Sequence, residues 1–180
     1  MRIVGGESRG RTLRPVPGNS TRPTSDRVRQ SLFDLLGQRM DGLLVLDLYA
    51  GTGALALEAI SRGAARAVLV ESEARACGVI HRNIADLRYT DRCTLVPDQL
   101  PQALSRLRGS FDLVFSDPPY ALRAAQLVLD GLSSNHLLAP GARIVLEMDR
   151  REDAPVCPEG LQLAGERRYG DTRIVVVSAR

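Results

Sequence analysis

Short, wholly apolar runs alternate with amphipathic segments along most of the chain. Residues 43–46 and 67–70 are apolar at every position, as expected for strands that are buried on both faces of a parallel sheet. Further strands are predicted at 94–96, 112–116 and 143–146. Helices are predicted at 73–87, 99–107 and 121–132, and another helix follows the glycines at 51 and 53 and ends at residue 60. Strands that alternate with helices in this way predict right-handed βαβ crossovers and a doubly wound, mostly parallel α/β sheet.

The two ends of the chain depart from this alternation. Two strand-like pieces, residues 2–4 and 11–13, are separated by glycines and predict a small N-terminal hairpin. A helix capped by Thr24 or Ser25 and ending near Gly37 is expected next, because apolar residues recur at helical spacing at Val28, Leu32, Leu35 and Leu36. Residues 160–169 and 172–178 flank a Gly-Asp turn and predict an antiparallel hairpin at the edge of the sheet.

Positive charge is concentrated at the start of the chain. All 24 basic residues are arginine, and the formal net charge is +3. The first 40 residues hold eight arginines against three acids, whereas the remaining 140 hold more acids than arginines. Guanidinium groups match phosphate oxygens and stack on bases, so residues 1–40 are interpreted as a nucleic-acid-binding extension of a main domain at 41–180. An arginine-rich solvated surface is the alternative, but it does not explain the uneven distribution.

Size and composition argue against several classes of protein. A chain of 180 residues fits one compact domain, and no apolar stretch approaches the roughly 18 residues that cross a bilayer. The start lacks the apolar core of a signal peptide, so we expect a cytoplasmic protein with no membrane partner. Because Cys77, Cys93 and Cys157 are far apart and form no C-x-x-C pair, neither a metal site nor a disulfide framework is predicted.

A carboxylate follows each of four predicted strands, at the edge where open α/β sheets bind their ligands. These carboxylates belong to Asp47, Glu71, Asp98 and Asp117. A glycine-rich turn follows the first strand, and Gly51 and Gly53 would let its backbone approach a ligand closely.

The glycine-rich turn is compatible with two kinds of ligand. Residues 51–56 fit the G-x-G-x-x-A fingerprint of dinucleotide sites, but a pyrophosphate prefers a helix N-terminus without nearby anions. Four carboxylates around one crevice suit a cationic ligand better, and S-adenosylmethionine carries a sulfonium and an ammonium group. In this interpretation Asp47 helps to hold the methionine end of that cofactor, Glu71 the ribose and Asp98 the adenine.

The tetrapeptide Asp117-Pro118-Pro119-Tyr120 permits a particular chemistry. The exocyclic amine of a nucleobase is a poor nucleophile because its lone pair is delocalised into the ring. A carboxylate from Asp117 and the backbone carbonyl of Pro118 can accept the amine hydrogens and draw the lone pair out of conjugation. Pro119 stiffens the turn, and Tyr120 offers a flat face on which a flipped-out base can stack. A plain proline-rich turn that closes a strand is the alternative.

Several segments resemble one family of enzymes. The sequence LDLYAGTG at 46–53 resembles the first motif of class I methyltransferases, and DPPY at 117–120 resembles their amino-methylating motif. Further similarity, specific to the RsmD family and in the same order, lies in residues 2–6, 9–11, 22–29 and 169–172. Members of that family methylate the exocyclic N2 of one guanine in 16S ribosomal RNA, at position 966 in the usual RNA numbering.

The resemblance implies a seven-stranded class I methyltransferase sheet with a small N-terminal hairpin extension. It also implies S-adenosylmethionine as cofactor, and a monomer that acts on 16S RNA in the small ribosomal subunit or its assembly intermediate. Cofactor contacts are expected from Asp47, Tyr49, Ala50, Gly51, Thr52, Gly53, Glu71 and Asp98. Catalytic roles are expected for Asp117, Pro118, Pro119 and Tyr120. The leading RNA contacts are Arg9, Arg11, Arg22 and Arg27.

Three other functions remain open from the residues alone. The same tetrapeptide serves adenine N6, so an adenine-N6 methyltransferase acting on DNA or RNA is the first. An NAD-dependent oxidoreductase is disfavoured by Asp47 and by the lack of an evident catalytic histidine or Tyr-Lys pair. A non-enzymatic RNA-binding or assembly factor would have no need of Asp117 and the strand-end acids. Because the fourth strand ends in Asp117-Pro118 rather than Pro-Cys, direct transfer without a covalent intermediate is expected for a methyltransferase.

Overall fold

The structure, a computed structural model, describes residues 1–18 and 26–180, and of Tyr120 only the backbone. The described strands are β1 (Leu44–Leu48), β2 (Arg66–Glu71), β3 (Cys93–Pro97), β4 (Phe111–Ser116), β5 (Leu138–Asp149), β6 (Leu161–Tyr169) and β7 (Thr172–Ala179). The described helices are α1 (Asp26–Leu35), α2 (Ala54–Ser61), α3 (Ala74–Leu87), α4 (Gln102–Arg106) and α5 (Ala125–Ser134), with a 3-10 turn at Tyr120–Leu122.

The seven strands form one sheet in the order β3-β2-β1-β4-β5-β7-β6. Strands β1 to β5 pair in parallel, whereas β7 is antiparallel to both β5 and β6. This arrangement confirms the doubly wound, mostly parallel seven-stranded sheet and its antiparallel C-terminal hairpin. Since β1 to β5 are parallel, their carboxyl ends meet along one edge of the sheet, where the candidate site lies.

Two apolar layers cover the faces of the sheet. Helices α1, α2 and α3 contribute to one layer, and α4 and α5 to the other. Successive residues of β4 alternate between the layers: Phe115 packs with Phe33, with ring centroids 5.7 Å apart, and Val114 lies in the layer of Val128. This alternation explains why the central strands are apolar at consecutive positions.

The N-terminal hairpin is smaller than the sequence predicts. One isolated antiparallel bridge joins Arg2 and Thr12, where two short strands were expected. Across the hairpin, the backbone N–H groups of Ile3 and Leu13 donate to the carbonyls of Arg11 and Met1 at 2.9 and 3.0 Å. Those of Val4 and Gly5 donate instead to the carboxylate of Glu58 on α2, at 2.8 and 2.7 Å. The hairpin is therefore attached to the main domain by a side chain that sequence analysis did not single out.

Glu58 lies at the centre of a buried charge network. Its side chain is fully buried, as is that of Arg29 on α1, and the two groups approach to 3.5 Å. Arg62 adds a hydrogen bond of 2.8 Å to Glu58, and its guanidinium lies 4.7 Å from the ring centre of Phe33. Arg29 also pairs with Asp26 at 2.9 Å. The network joins the hairpin, α1 and α2.

The first 40 residues share a core with the rest of the chain. Ile3, Leu13, Leu32 and Phe33 are buried in the layer that contains Leu57. The proposed boundary at residue 40 therefore separates two proposed roles, RNA contact and cofactor binding. It does not separate two hydrophobic cores.

Several predicted boundaries are corrected. Helix α5 begins at Ala125 and not at 121, because the proline turn is followed by the 3-10 turn and by Arg123 with a positive φ. Leu35, one of the apolar positions that predicted α1, is 38% exposed, whereas Phe33 on the same helix is buried. The predicted helix caps Thr24 and Ser25 lie outside the described residues. Among the described helices, none has the length and apolar character to span a membrane.

Candidate active site

Acidic side chains follow one another along the carboxyl edge of the sheet. Asp98 comes directly after β3, Glu71 ends β2, Asp47 lies near the end of β1, Asp117 comes directly after β4, and Asp149 ends β5. In the spatial order of the strands, Asp117 therefore lies between the acids of β1 to β3 on one side and the loop after β5 on the other.

The glycine-rich turn connects β1 to α2 through left-handed backbone conformations. Tyr49, Gly51 and Gly53 have φ values of 60°, 57° and 78°. A Cβ added to Gly53 would lie 3.0 Å from a methyl carbon of Leu69, so this glycine permits close packing of helix on strand. At Gly51 the nearest atom would be 3.9 Å away, which leaves that side of the turn open to a ligand.

Asp47 is a buried carboxyl group that fixes the turn. Its residue is 2% exposed, and one oxygen accepts the backbone N–H of Ala56 in α2 at 3.0 Å. Burial raises the pKa of Asp47 well above its ordinary value, the hydrogen bond from Ala56 opposes that rise, and Asp117 and Glu71 reinforce it. The three carboxylates are thus close enough to interact, and a cation placed between them would relieve their repulsion.

We predict that Asp47→Asn stabilises the chain at neutral pH while weakening binding of a cationic ligand. The raised pKa means that the folded state holds the proton more tightly than the unfolded state, where the pKa is about 4. The stabilising contribution of the protonated carboxyl group is fully present below the unfolded-state pKa, and it is lost as pH rises through the folded-state pKa. Asparagine keeps an oxygen for the Ala56 N–H but never ionises.

Urea denaturation between pH 4 and pH 8, without added ligand, tests this prediction. The difference in unfolding free energy between Asp47→Asn and the unmodified chain should grow with pH. A difference that is the same at every pH would show that ionisation of Asp47 has no cost in the folded state.

The other two acids proposed to bind the cofactor are held by their neighbours. One oxygen of Glu71 accepts the N–H of Gly51, and the other accepts those of Ser72 and Glu73, each at 2.8 Å. Glu71 therefore joins the glycine-rich turn to the start of α3.

Asp98 is directed toward α4. It accepts the N–H of Gln99 at 2.8 Å and pairs with Arg106 at 2.6 Å. These two hydrogen bonds lower the pKa of Asp98 and keep it ionised.

Asn83 connects the glycine-rich turn to the N-terminal segment. It is fully buried on α3, and its amide nitrogen donates to the carbonyls of Thr52 at 3.0 Å and Arg14 at 3.3 Å. Its amide oxygen accepts the N–H of Arg14 at 2.8 Å. Sequence analysis missed this residue, although a polar side chain between Ile80 and Leu87 on the apolar face of a helix is a recognisable signal.

We predict that Asn83→Ala weakens donor binding without unfolding the chain. Loss of the hydrogen bond would free the Thr52 carbonyl and loosen the turn, and one such bond contributes about 1 kcal/mol, or roughly fivefold in affinity. Isothermal titration with S-adenosylmethionine would measure the effect. Asn135→Ala is the matched control, because Asn135 makes a similar bond of 2.8 Å to Gly131 on α5, away from the turn. Equal affinities of the two variants would contradict the role of Asn83.

The proposed catalytic turn, residues 117–120, continues from the centre of the sheet. The N–H of Asp117 lies 3.4 Å from the carbonyl of Leu48 in β1, and Pro118 is buried behind the turn. The carbonyl of Pro119 accepts the N–H of Leu122 at 2.9 Å, which closes the 3-10 turn. The side chain of Tyr120 lies outside the described residues, so its stacking role stays a prediction.

Those arginines expected to bind RNA that the structure describes lie near different helices. Arg9 borders a groove near the end of α2, and Arg11 donates to the carbonyl of Asp86 on α3 at 2.6 Å. Arg27 is exposed on α1, and Arg22 lies outside the described residues. The next arginine after Arg27, Arg29, is buried in the charge network around Glu58. The described arginines thus spread over the N-terminal face.

Burial makes two of the three thiols poor nucleophiles. Burial raises the pKa of Cys93 to about 12, and it also raises the pKa of Cys77. Cys157 lies in the segment between β5 and β6, beyond the carboxyl end of β5. In residues 1–18 and 26–180, no three His, Cys, Asp or Glu side chains converge to hold a metal ion.

Comparison with known proteins places the chain in a family. The profile of a family described as conserved hypothetical protein 95, the RsmD family, matches residues 1–178. The chain belongs to the RsmD family of methyltransferases. It is 35% identical to the Escherichia coli ribosomal RNA small subunit methyltransferase D over 94% of its own length and 85% of that protein. The Haemophilus influenzae protein of the same name is 32% identical, over 94% and 89%.

Solved structures agree with this membership in the RsmD family. A structure of the Escherichia coli protein yhhF superimposes with a TM-score of 0.90 at 32% identity, covering 99% of this chain and 97% of that one. A conserved hypothetical protein of Streptococcus pyogenes gives a TM-score of 0.81 at 37% identity, over 85% and 96%. The sheet order and the N-terminal extension are therefore those of a known enzyme family.

The site fits S-adenosylmethionine, the cofactor that the methyltransferase fold implies. Its open glycine turn at Gly51 and the carboxylates of Asp47 and Glu71 offer acceptors and negative charge to a ligand that carries positive charge and donors. A dinucleotide pyrophosphate would meet the same carboxylates unfavourably. The chemistry of these groups therefore supports a sulfonium cofactor.

Proposed function

We propose that this chain transfers a methyl group from S-adenosylmethionine to the exocyclic N2 of one guanine in small-subunit ribosomal RNA, a guanine of the position 966 type. The observation that carries the proposal is the position of Asp117, which follows β4 between the glycine-rich turn and the loop after β5. A carboxylate in that position would lie between a methyl donor bound at the turn and a base that enters from the β5 side. The names of the Escherichia coli and Haemophilus influenzae relatives support ribosomal RNA as the substrate.

The donor side of the site is formed by the turn and the acids next to it. Tyr49, Ala50, Gly51, Thr52 and Gly53 would bind the cofactor through the backbone. Three acids would complete the donor side, with Asp47 toward the methionine end, Glu71 toward the ribose and Asp98 toward the adenine. When bound, S-adenosylmethionine supplies a methyl group on a positively charged sulfur.

Asp117 and Pro118 act on the acceptor. The Asp117 carboxylate and the Pro118 carbonyl accept the two hydrogens of the guanine amine and orient its lone pair toward the donor side. Positioning of this kind can contribute several kcal/mol to lowering a barrier. Transfer would form the N–C bond as the sulfur–methyl bond breaks, with the electron pair of the broken bond kept by the sulfur of a neutral thioether. The nitrogen would then carry an extra proton, for which the Asp117 carboxylate is the acceptor. Pro119 and Tyr120 complete the turn, with the Tyr120 ring stacked on the base.

The N-terminal face supplies contacts to RNA. Arg9, Arg11, Arg22 and Arg27 are the proposed phosphate contacts, and such contacts make affinity fall steeply with salt. The partner is 16S RNA in the small subunit or its assembly intermediate, bound by a monomer in the cytoplasm.

Methyl transfer from labelled S-adenosylmethionine tests this function. The substrates are unmethylated small subunits, naked 16S RNA and duplex DNA, each followed by nucleoside analysis. We expect N2-methylguanosine at one site in the ribosomal RNA. N6-methyladenine in DNA or RNA would agree with the proposed mechanism but contradict the proposed substrate. Donor binding without methyl transfer to any of the three substrates would favour a non-enzymatic RNA-binding factor.

A further inference from the structure

A cavity of about 280 Å³ opens beside the catalytic turn, close to the roughly 300 Å³ of the smallest ligand pockets. Its lining comprises Ala121, Arg123, Asp149, Arg151 and Glu152. Ala121 directly follows the catalytic tetrapeptide, and Asp149 is the last residue of β5. The cavity therefore lies on the β5 side of Asp117, opposite the glycine-rich turn, where an acceptor must enter.

The C-terminal hairpin holds one wall of this cavity. The N–H of Arg150 donates to the carbonyl of Asp171 at 2.8 Å, and the guanidinium of Arg173 donates to the carbonyl of Glu152 at 2.9 Å. Arg173 is itself fixed by Glu166 at 2.7 Å. The family-like motif at 169–172, which has no assigned role, thus supports the loop that follows β5.

The two acids of the cavity differ in their hydrogen bonds. The carboxylate of Asp149 accepts the N–H of Arg151 at 2.7 Å. The carboxylate of Glu152 accepts no hydrogen bond from the described residues, although its residue is half-buried. Burial raises the pKa of Glu152, the charge of Arg123 opposes the rise, and Asp149 adds to it. A half-buried carboxylate of raised basicity is a strong hydrogen-bond acceptor for a ligand.

We propose that this cavity receives the target base and that Glu152 selects guanine by accepting its N1–H. The proposal rests on the function proposed above and names the residue that distinguishes guanine from other amines. In guanine the N1–H donor is adjacent to the N2 amine, so a carboxylate of the cavity on the β5 side of the turn can accept it while Asp117 holds the amine. In adenine the atom adjacent to the N6 amine is an acceptor, which a carboxylate repels.

The arginines of the cavity complement the rest of the guanine edge. Guanine presents acceptors at O6 and N7, and arginine is the side chain that most often binds them. Arg123 and Arg151 line the same cavity as Glu152, so donors and an acceptor are available together. This combination matches guanine, whereas adenine has an amine in place of O6.

Substituting the target base tests the role of Glu152. Small subunits are reconstituted from unmethylated 16S RNA that carries either guanine or 2-aminopurine at the target position. The analogue keeps the amine at C2 but has an acceptor at N1. We expect a kcat/KM ratio of guanine to 2-aminopurine of roughly 10 to 100 for the unmodified chain, and a ratio at least about fivefold smaller for Glu152→Gln. The glutamine amide can donate to the analogue's N1.

Matched variants distinguish an effect of Glu152→Gln on base selection from an effect on folding. Glu159→Gln changes an exposed glutamate in the same segment and should leave the ratio unchanged. Glu152→Asp keeps a carboxylate and should keep the preference at a lower rate, and S-adenosylmethionine titration confirms that each variant is folded. The same ratio for Glu152→Gln as for the unmodified chain would overturn the proposal. Absence of guanine methylation by the unmodified chain would instead overturn the proposed function.

Discussion

Replacing Asp117 by alanine should lower kcat by roughly 100- to 1000-fold, while the Kd for S-adenosylmethionine changes by less than about threefold. The expected loss is the one measured when a single preorganised hydrogen-bonding group is removed from an active site. In its proposed role Asp117 acts on the amine of the acceptor, so its contribution would be made at the reacting nitrogen. Asp47, Glu71 and the glycine-rich turn remain to bind the donor. Removal of one nearby carboxylate also lowers the repulsion on Asp47.

Single-turnover methyl transfer and donor titration on the same protein preparation measure the two quantities. Asp130→Ala is the matched control, because Asp130 is an exposed aspartate on α5, and it should leave both quantities unchanged. Equal losses of turnover and donor affinity in Asp117→Ala would place Asp117 in the donor site and contradict its proposed role toward the base.

The position of the proposed catalytic turn was predictable because it depends on residues that are adjacent in the sequence. The strand before Asp117 is apolar at consecutive positions, and prolines mark the end of that strand. A parallel sheet then requires Asp47, Glu71, Asp98 and Asp117 to meet at one edge. Both the fold and the acidic crevice therefore follow from local patterns combined with one topological rule.

What sequence analysis missed depends on contacts between distant segments. Asn83 and Arg14 are 69 positions apart, and Val4 and Glu58 are 54 apart. No periodicity indicates that a carboxylate on a helix accepts two backbone N–H groups of the hairpin. The cavity next to Asp117 likewise depends on Arg173, which supports Glu152 from another strand. The distant partners of such side chains become recognisable only when the topology is known.

Arg29 shows that sequence analysis also cannot tell a buried arginine from an exposed one. The excess of arginine in the first 40 residues predicts an RNA-binding surface, and Arg9 and Arg27 are exposed as that prediction requires. Arg29 is fully buried and neutralised by acids of α1 and α2. Composition counts both kinds of arginine equally, so it overstates the charge available to RNA.

Glu58→Ala should destabilise the chain by about 3–5 kcal/mol, the usual result of removing one partner from a buried ion pair. The substitution would leave the buried guanidinium of Arg29 without its α2 partner and the N–H groups of Val4 and Gly5 without an acceptor. The loss is a large part of the 5–15 kcal/mol that stabilises a typical domain. Urea denaturation at neutral pH measures it.

The control for Glu58→Ala is Arg39→Ala, which breaks an exposed pair. The Arg39 and Asp41 side chains are 83% and 59% exposed at a separation of 2.7 Å, so the change should cost less than about 1 kcal/mol. Limited trypsin digestion adds a local measurement, because Arg9 and Arg11 lie in the hairpin that Glu58 holds. In Glu58→Ala we expect cleavage at these two sites before cleavage in the main domain. Simultaneous cleavage throughout the chain would instead show that Glu58 supports the whole core, and that the hairpin has no separate attachment.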